Sequence, residues 1–236
     1  MAAERGAAPC LLELKLAAAP ERWREAGFTT SEADDGASLA ILGSVRLRLR
    51  GGEAGRGLSK WTLGGVDGAL PDGSPEPPGE PFDGLPTEVL DPLPEPEPEP
   101  EPASPHPNGV TQIDHVVAFS PDLDRTVAAL RADGLDFRRL REGPTAAGAQ
   151  RQAFFRVGEP LLEVIEHPPQ APAAADRDAP SRFWGLALLA PDLDATAQWL
   201  GPLLGEPRDA IQPGRRIATF AREAGLGLPV ALISPS

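Results

Sequence analysis

Two arginines, Arg151 and Arg215, are the residues whose type and spacing point most directly to ligand chemistry. They open two similar segments, RQAFFR and RRIATF, at matched places in an internal repeat. A guanidinium group binds a carboxylate or a phosphate through paired hydrogen bonds. Because side chains alternate along a strand, Arg215 and its neighbour Arg216 cannot both face one ligand. The sequence therefore predicts one arginine at an anionic ligand, and the alternative is a solvent-facing arginine on an edge strand.

Polar and aromatic side chains near these arginines form a second group of candidates. Gln152 lies on the opposite strand face from the arginine before it. Trp184 and Phe155, together with Phe154 and Phe220, could line an apolar pocket, and the alternative is that they are ordinary core residues. The sequence holds no P-loop, no GxGxxG after a strand, no GxSxG and no HExxH. Phosphate-loop, dinucleotide, serine-hydrolase and zinc-protease chemistries therefore have no support.

The sequence predicts no catalytic role for the single cysteine or for the histidines at 106 and 167. Cys10 is the single cysteine, so no internal disulfide and no CxxC metal site can form. It has no histidine nearby in sequence and is not expected to be a nucleophile. His106 lies in a proline-rich stretch and His167 just past a strand, and both are expected to be solvated.

An internal repeat supplies the elements that must position these residues. The tetrapeptide Pro-Asp-Leu-Asp occurs at 121–124 and again at 191–194, each time between an apolar run and a helix-like run. Asp122 and Asp192 are predicted to cap the two helices, because each precedes the first apolar-periodic residue. Repeated units of this size rarely bury their apolar face alone. The two copies should therefore pack together, with a ligand site where they meet.

The order of elements predicts an α+β fold of tandem βαβββ units. Residues 110–167 and 181–236 each read as a strand, a helix and three further strands. Residues 10–70 read as a degenerate N-terminal βαβββ unit, in which Ser59–Leu63 closes the unit. The units 110–167 and 181–236 together make one domain, 110–236.

Residues 71–109 read as a Pro/Glu-rich linker. They hold 14 of the 29 prolines and ten acidic residues, with no lysine or arginine. Such a composition favours a semi-rigid, solvated polyproline II spacer over a ligand for a proline-binding module. An apolar island, Phe82–Leu90, is expected to dock onto a folded surface. The rest of the chain carries 25 acidic and 22 basic residues, so the folded parts are close to neutral.

The composition also limits partners and compartment. No basic stripe is present, which argues against nucleic-acid binding. No apolar run approaches the roughly 18 residues of a membrane span, and Glu13 and Lys15 interrupt the apolar N-terminal stretch. The single cysteine fits a reducing, cytoplasmic location.

These features resemble the vicinal oxygen chelate superfamily, the glyoxalase, bleomycin-resistance and extradiol-dioxygenase group. The resemblance rests on Asp114-His115 in the first strand of the central unit, PDLD at 121–124, RQAFFR at 151–156 and LLEVIE at 161–166. It is clearest over 110–236. It implies paired units that form a cupped mixed sheet with helices outside, around a divalent metal that chelates neighbouring substrate oxygens.

The resemblance implies that His115 and Glu163 stand at the metal-ligand and catalytic positions of the central unit, with Glu166 as a register alternative. The metal implied is zinc, iron, manganese or nickel. The alternatives for His115 are a hydrogen-bonded cavity histidine, or a general base in a metal-free pocket.

The matching positions of the other units lack ligands. They hold Gly185 and Ala231 in the third unit and Leu14 in the first, and none of these can bind a metal. Two protein ligands hold a divalent ion poorly, because catalytic sites usually keep three. His167, Asp114 or an acid from another unit would have to complete the set.

Three functions compete on this basis. The first is a glyoxalase-like protein that binds a small molecule in the cup with a degenerate metal site. The second is a metal-dependent lyase, isomerase or dioxygenase. The third is an interaction protein whose N-terminal unit forms a homodimer, because three units leave one unpaired.

Overall fold

A computed structural model describes residues 8–52, 56–66, 80–91, 106–145, 148–168 and 170–235. It confirms the α+β class, with a six-stranded and an eight-stranded mixed sheet and three short α-helices. The strands are β1 (Cys10–Ala17), β2 (Ser31–Glu32), β3 (Ser38–Leu42), β4 (Val45–Leu49), β5 (Gly57–Gly64), β6 (Thr87–Leu90), β7 (Gln112–Ser120), β8 (Asp136–Thr145), β9 (Gly148–Arg156), β10 (Leu161–Glu166), β11 (Arg182–Leu189), β12 (Arg208–Asp209), β13 (Arg216–Thr219) and β14 (Val230–Ile233). The helices are α1 (Pro20–Glu25), α2 (Leu123–Ala132) and α3 (Leu193–Leu200). Among the described residues, no helix has the length and apolarity needed to cross a membrane.

The eight-stranded sheet joins the two predicted repeats. Its order is β12-β13-β14-β11-β7-β10-β9-β8, so the first strands of the two units, β7 and β11, pair antiparallel at the centre. In each unit the last strand runs parallel to the first, β10 beside β7 and β14 beside β11. Helices α2 and α3 pack on one face of this sheet, which we name the helix face. The opposite face, which carries His115 and Glu163, is named the open face.

The two aspartates of each Pro-Asp-Leu-Asp repeat make the same contacts in both copies. The first caps the helix: Asp122 accepts the backbone N–H of Arg125, and Asp192 accepts that of Ala195. The leucine that follows is buried in both copies. The second aspartate pairs with an arginine on the helix face, as described below. The two predicted helix caps are therefore confirmed.

The N-terminal sheet corrects the prediction of a single degenerate unit. Its order is β2-β3-β4-β1-β5-β6, and β4 lies parallel to β1, so β4 closes the first unit. Strand β5, which contains Ser59–Leu63, instead pairs antiparallel with β1, as β11 does with β7. Strand β6 then runs parallel to β5, as β10 does to β7. The strands β5 and β6 thus form the first and last strands of a fourth, shortened unit.

Part of the predicted linker is folded onto both sheets. The island at Phe82–Leu90 docks as expected, with Phe82 and Leu85 buried and Thr87–Leu90 forming β6. Its acid Asp83 is also buried. The Pro-Glu repeat at 94–102 lies outside the described residues.

His106 is buried, whereas the sequence predicts a solvated residue. Its Nδ1 accepts the backbone N–H of Thr29 at 3.0 Å, and its Nε2 lies 2.9 Å from the carbonyl oxygen of Ile41. Both contacts are satisfied by one neutral tautomer, with the proton on Nε2. Burial lowers the pKa of His106, although the hydrogen bond to Ile41 opposes this shift. Proline-rich composition had suggested solvent exposure, but this imidazole joins the last residues of the predicted linker to the N-terminal sheet.

The lowered pKa of His106 predicts a loss of stability in mild acid. The unfolded chain takes up a proton near the ordinary histidine pKa of about 6.5, whereas the folded chain resists protonation. Stability should therefore be complete above about pH 6.5 and fall as the pH drops below it. In urea unfolding between about pH 7.5 and pH 5, a His106→Gln variant should lose less stability than the wild type. An equal pH dependence of stability in both proteins would show that His106 does not cause the loss of stability in acid. Burial also lowers the pKa of His167, so His167→Gln is measured in parallel, and the double variant should lose less stability than either single variant.

Candidate functional site

A β-bulge brings Asp114 and His115 to the same face of the sheet. Opposite β11, His115 pairs with Ala187 and Ile113 pairs with Leu188, so Asp114 is an extra residue in β7. A bulge of this kind turns a side chain that would otherwise point the other way, and bulges are frequent beside functional sites. The two side chains consequently touch, with Asp114 Oδ1 2.7 Å from His115 Nδ1.

The same bulge recurs in the partner strand. Between Phe183, which pairs with Ala118, and Gly185, which pairs with Val117, Trp184 is the extra residue of β11. Trp184 and Gly185 thus repeat the positions of Asp114 and His115. The second copy therefore keeps the bulge, but an exposed tryptophan and a glycine stand in place of the aspartate and the histidine.

Four side chains on the open face form a continuous chain of contacts, which we name the His115 cluster. Arg215 Nη2 lies 2.5 Å from Asp114 Oδ2, and His115 Nε2 lies 3.3 Å from Glu163 Oε2. Arg215 is itself held by the carbonyl oxygen of Ser234, 2.7 Å from its Nε. All four side chains are mostly but not completely buried, with 9% to 18% of their surface exposed. Solvent or a ligand can therefore reach the cluster.

Burial and nearby charges shift the pKa values of Asp114 and Glu163 in opposite directions. Burial raises the pKa of Asp114, but hydrogen bonds from His115 and Arg215 outweigh it, and the net pKa is lowered. Burial raises the pKa of Glu163, and the positive charges nearby compensate only in part. An ionised Asp114 accepts the Nδ1 proton of His115 and leaves Nε2 facing Glu163. The pair His115–Glu163 can hold one proton between its members, which is an arrangement suited to binding or moving a proton.

Two arginines that the sequence did not single out stand beside this pair. Arg139 and Arg141 occupy alternate positions of β8, and their charges partly oppose the rise that burial causes in the pKa of Glu163. Arg139 is opposite Phe154 in β9, which is opposite Glu163 in β10, so the three share the open face. The Arg139 guanidinium lies 4.6 Å from the centre of the Phe154 ring. Their i, i+2 spacing in the segment DFRRLREG was the available sequence signal.

Arg151 lies on the helix face, away from the cluster. It pairs with Asp124 at 2.6 Å, and also with Glu142 and Glu166. In the other repeat Arg216 pairs with Asp194 at 2.6 Å. Strand register therefore matches Arg151 with Arg216 and not with Arg215, which corrects the sequence alignment of the two segments.

The other predicted residues divide between the two faces. Gln152 lies opposite Arg141 and Ile165, on the open face. Phe155 is fully buried against Phe137 on the helix face and is a core residue. Trp184 is 48% exposed. Its ring lies edge-on to Phe119, 5.5 Å between centres, and Phe119 in turn stacks on His167 at 4.9 Å. The structure thus places Gln152, Trp184 and Arg215 on the side of His115, and Arg151 and Phe155 on the other.

Strand register also locates the positions equivalent to His115 and Glu163 in the remaining units. In the third unit they are Gly185 and Ala231, as the sequence predicts. In the first unit the equivalent of His115 is Glu13 and not Leu14, because β1 has its bulge one residue before Glu13. The shortened unit carries Glu88 at the position of Glu163.

Ion pairs occupy these positions in the N-terminal sheet. Glu13 receives two hydrogen bonds from Arg48, at 3.0 and 3.1 Å, and Glu88 pairs with Lys15 at 2.6 Å. Each carboxylate that could bind a cation is thus neutralised by a basic side chain of the same sheet.

The donor set of the His115 cluster does not fit a divalent metal ion. Among the described residues, no group of three or more His, Cys, Asp or Glu side chains could hold one. His115 and Glu163 are two donors, and Asp114 is already engaged by Arg215 and by His115. A catalytic metal site usually needs three protein ligands.

Gly185 cannot be replaced without moving the backbone. A Cβ at this position would lie 2.5 Å from the carbonyl oxygen of Pro229. We expect Gly185→Ala to lower the free energy of unfolding by about 1–3 kcal/mol, the usual range for overpacking. The matched control is Gly143→Ala, at a strand glycine with nothing within 4 Å of its added Cβ. Urea denaturation of both variants measures the difference, and equal stabilities would show that the Pro229 contact relaxes freely.

Comparison with known proteins identifies the fold. No protein-family model matches the sequence, and no curated protein does. A triple mutant of 4-hydroxymandelate synthase from Streptomyces coelicolor superposes with a TM-score of 0.62 at 14% identity, covering 96% of this chain and 92% of that one. A fusion of a xylose isomerase-like TIM barrel with 4-hydroxyphenylpyruvate dioxygenase gives 0.61 at 14% identity, covering 98% of this chain and 49% of that one. Methylmalonyl-CoA epimerase from Mycobacterium tuberculosis gives 0.44 at 20% identity, covering 54% and 90%. The chain has the fold of the vicinal oxygen chelate superfamily, as its sequence resemblance predicts.

Proposed function

We propose that the open face of the eight-stranded sheet binds a small organic anion and that it does so without a metal ion. The observation that carries this proposal is the strand register, which places Arg139 and Arg141 on the same face as the partly buried His115–Glu163 pair. None of the ion pairs found among the described residues involves Arg139 or Arg141. Their guanidinium groups are therefore available for a carboxylate or phosphate group.

The other residues on this face have distinct roles in the proposal. The His115–Glu163 pair donates a hydrogen bond to a hydroxyl or carbonyl oxygen of the ligand. Gln152 adds a neutral donor and acceptor, and Trp184 offers an exposed aromatic surface. Arg215 is a positioning residue, because Asp114 and Ser234 already occupy its donors. It acts by holding Asp114, which orients His115.

The metal-dependent alternatives have weaker support. A lyase, isomerase or dioxygenase that uses zinc, iron, manganese or nickel needs a donor beyond His115 and Glu163, and the matched positions Gly185 and Ala231 supply none. The homodimer hypothesis rested on an unpaired N-terminal unit, and the strands β5 and β6 provide that unit with a partner within the chain.

A metal-free proton-transfer enzyme is the second candidate. The raised pKa of Glu163 favours it, because a general base works best when its pKa is close to the working pH. Such an enzyme would exchange a carbon-bound proton of the ligand with solvent deuterium, whereas a binding protein would not. The anion site is common to both candidates.

The binding proposal is tested by thermal unfolding of protein treated with a chelator. We name 4-hydroxymandelate, benzoate and malonate as probes and benzylamine as the control of opposite charge. At about a hundred times its Kd, a ligand adds about 2.7 kcal/mol, which is roughly 5–10 °C for a chain of this length. Arg141→Ala should abolish the shift, and Arg138→Ala, whose side chain pairs with Asp136, should keep it. A shift that requires an added metal, or one that survives Arg139→Ala/Arg141→Ala, would contradict the proposal.

A further inference from the structure

A cavity of about 760 Å³ lies between the N-terminal sheet and the last unit. One wall is the end of β1 with the residues that follow it, Ala17–Ala19. The other wall is formed by residues 219–222 and 225–229. No member of the His115 cluster lines it. Small-molecule sites commonly have this volume and commonly lie where two modules meet.

Contacts between the two walls fix the shape of this cavity. The indole N–H of Trp23 in α1 donates to the carbonyl oxygen of Leu226 at 3.2 Å. The rings of Phe28 and Phe220 lie 6.5 Å apart, within the buried core. On the N-terminal side, the backbone N–H of Gly51 donates a hydrogen bond to the carbonyl oxygen of Ala18 at 3.0 Å. The cavity is consequently built from elements that are held together before any ligand arrives.

Gly227 shows how closely the walls approach. Its φ is +84°, and a Cβ there would lie 3.0 Å from Ala18 Cβ and 3.1 Å from the Ala17 carbonyl oxygen. Only glycine adopts this conformation readily and leaves the space open. The remaining lining is mostly apolar, with Phe220, Leu228 and Pro229 among its residues.

Two guanidinium groups provide the charge of this otherwise apolar cavity. Arg56 and Arg222 both line it and both are exposed. Neither takes part in any ion pair found within the described residues. No aspartate or glutamate is among the lining residues that the structure describes. The cavity therefore combines an apolar floor with a positive rim.

We propose that this cavity is a second binding site, for an amphipathic anion with an alkyl or aryl body and one carboxylate or sulfonate group. The apolar body occupies the space beside Phe220 and Leu228, because burial of apolar surface supplies most of the affinity. The anionic group meets Arg56 and Arg222 at the rim. This site is independent of the function proposed for the His115 cluster.

The test is a fluorescence titration of the full chain with 8-anilinonaphthalene-1-sulfonate, followed by displacement. The wild type should bind one equivalent with enhanced emission. Dodecanoate should displace the dye, and dodecyltrimethylammonium, which has the same tail and the opposite charge, should not. The Arg56→Ala/Arg222→Ala variant should bind the dye at least tenfold more weakly. Both positions are exposed, so this variant should fold normally.

The controls separate this cavity from other surfaces. Arg208→Ala removes an exposed arginine on β12 and should bind the dye as the wild type does. Ala19→Phe places a bulky side chain at the wall of the cavity and should weaken binding of the dye. Arg139→Ala/Arg141→Ala removes the guanidinium groups of the open face and should leave dye binding in this cavity unchanged, so failure of the proposed function is distinguishable from failure of this one. Unchanged binding in the double arginine variant, or equal displacement by the two dodecyl compounds, would overturn the proposal.

Discussion

Replacing Asp83 by alanine should lower the free energy of unfolding by about 3–5 kcal/mol, the usual cost of breaking a buried ion pair. The Asp83 carboxylate accepts hydrogen bonds from Arg125 at 2.7 and 3.2 Å. It also accepts the hydroxyls of Thr126 and Ser181, each at 2.6 Å. Only 4% of its side chain is exposed. These bonds connect the segment before β6 with α2 and with the residue before β11. Their loss therefore removes side-chain hydrogen bonds that hold the N-terminal sheet against the eight-stranded sheet.

Thermal or urea unfolding measures this effect, with Asp194→Ala as the matched control. Asp194 also pairs with an arginine, at 2.6 Å, but 70% of its side chain is exposed. Removing an exposed partner should cost less than about 1 kcal/mol. Asp83→Asn keeps the shape and removes the charge, and it should still cost more than the control. Equal losses from Asp83→Ala and Asp194→Ala would show that the buried cluster does not join the two sheets.

Replacing Ala231 by glutamate should create a metal site that the wild type lacks. Ala231 pairs with Ala187, which pairs with His115, so the new carboxylate would stand on the open face at the position equivalent to Glu163. A third donor satisfies the usual requirement of a divalent ion. We expect the Kd for Zn²⁺ or Ni²⁺ to fall by at least about a hundredfold, which corresponds to roughly 2.7 kcal/mol. Calorimetric titration of metal-free protein measures it.

The control places the same carboxylate one strand further away. Thr219 lies opposite Ala231 in β13, so Thr219→Glu adds equal charge beyond the reach of His115. It should leave the metal affinity unchanged, and His115→Ala should abolish the gain in the Ala231→Glu background. If Ala231→Glu and Thr219→Glu bind metal equally, the gain comes from net charge and not from a site.

The sequence predicts the C-terminal half well because its signals there are local. The Pro-Asp-Leu-Asp repeats, with apolar strands before them and capped helices after them, specify both units. The matched positions Gly185 and Ala231 follow from similar offsets between these units, 70 residues from His115 to Gly185 and 68 from Glu163 to Ala231. The N-terminal half is harder to read because β5 and β6 share no motif with the other units. Only their pairing register and the bulge before Glu13 show the relation.

The site residues were harder to predict than the strands, for two physical reasons. Strict alternation along a strand would place the side chains of Asp114 and His115 on opposite faces of the sheet. The bulge at Asp114 instead places both side chains on the same face. A gap of different length between the repeats made Arg151 look equivalent to Arg215, whereas its ion pair with Asp124 matches that of Arg216 with Asp194. His106 shows a third difficulty, because a proline-rich neighbourhood gave no sign of its two buried hydrogen bonds.

The imidazole nitrogen chemical shifts of His115 test most directly whether the cluster works without a metal. The chain has three histidines, so nitrogen-15 spectra of the wild type and of His115→Gln assign the signals. We expect a protonated Nδ1 that donates to Asp114, and an Nε2 signal that is unchanged by one equivalent of Zn²⁺ and moves when 4-hydroxymandelate or another bound anion is added. A shift of Nε2 to a metal-bound position with one equivalent of Zn²⁺ would contradict metal-free binding at this site.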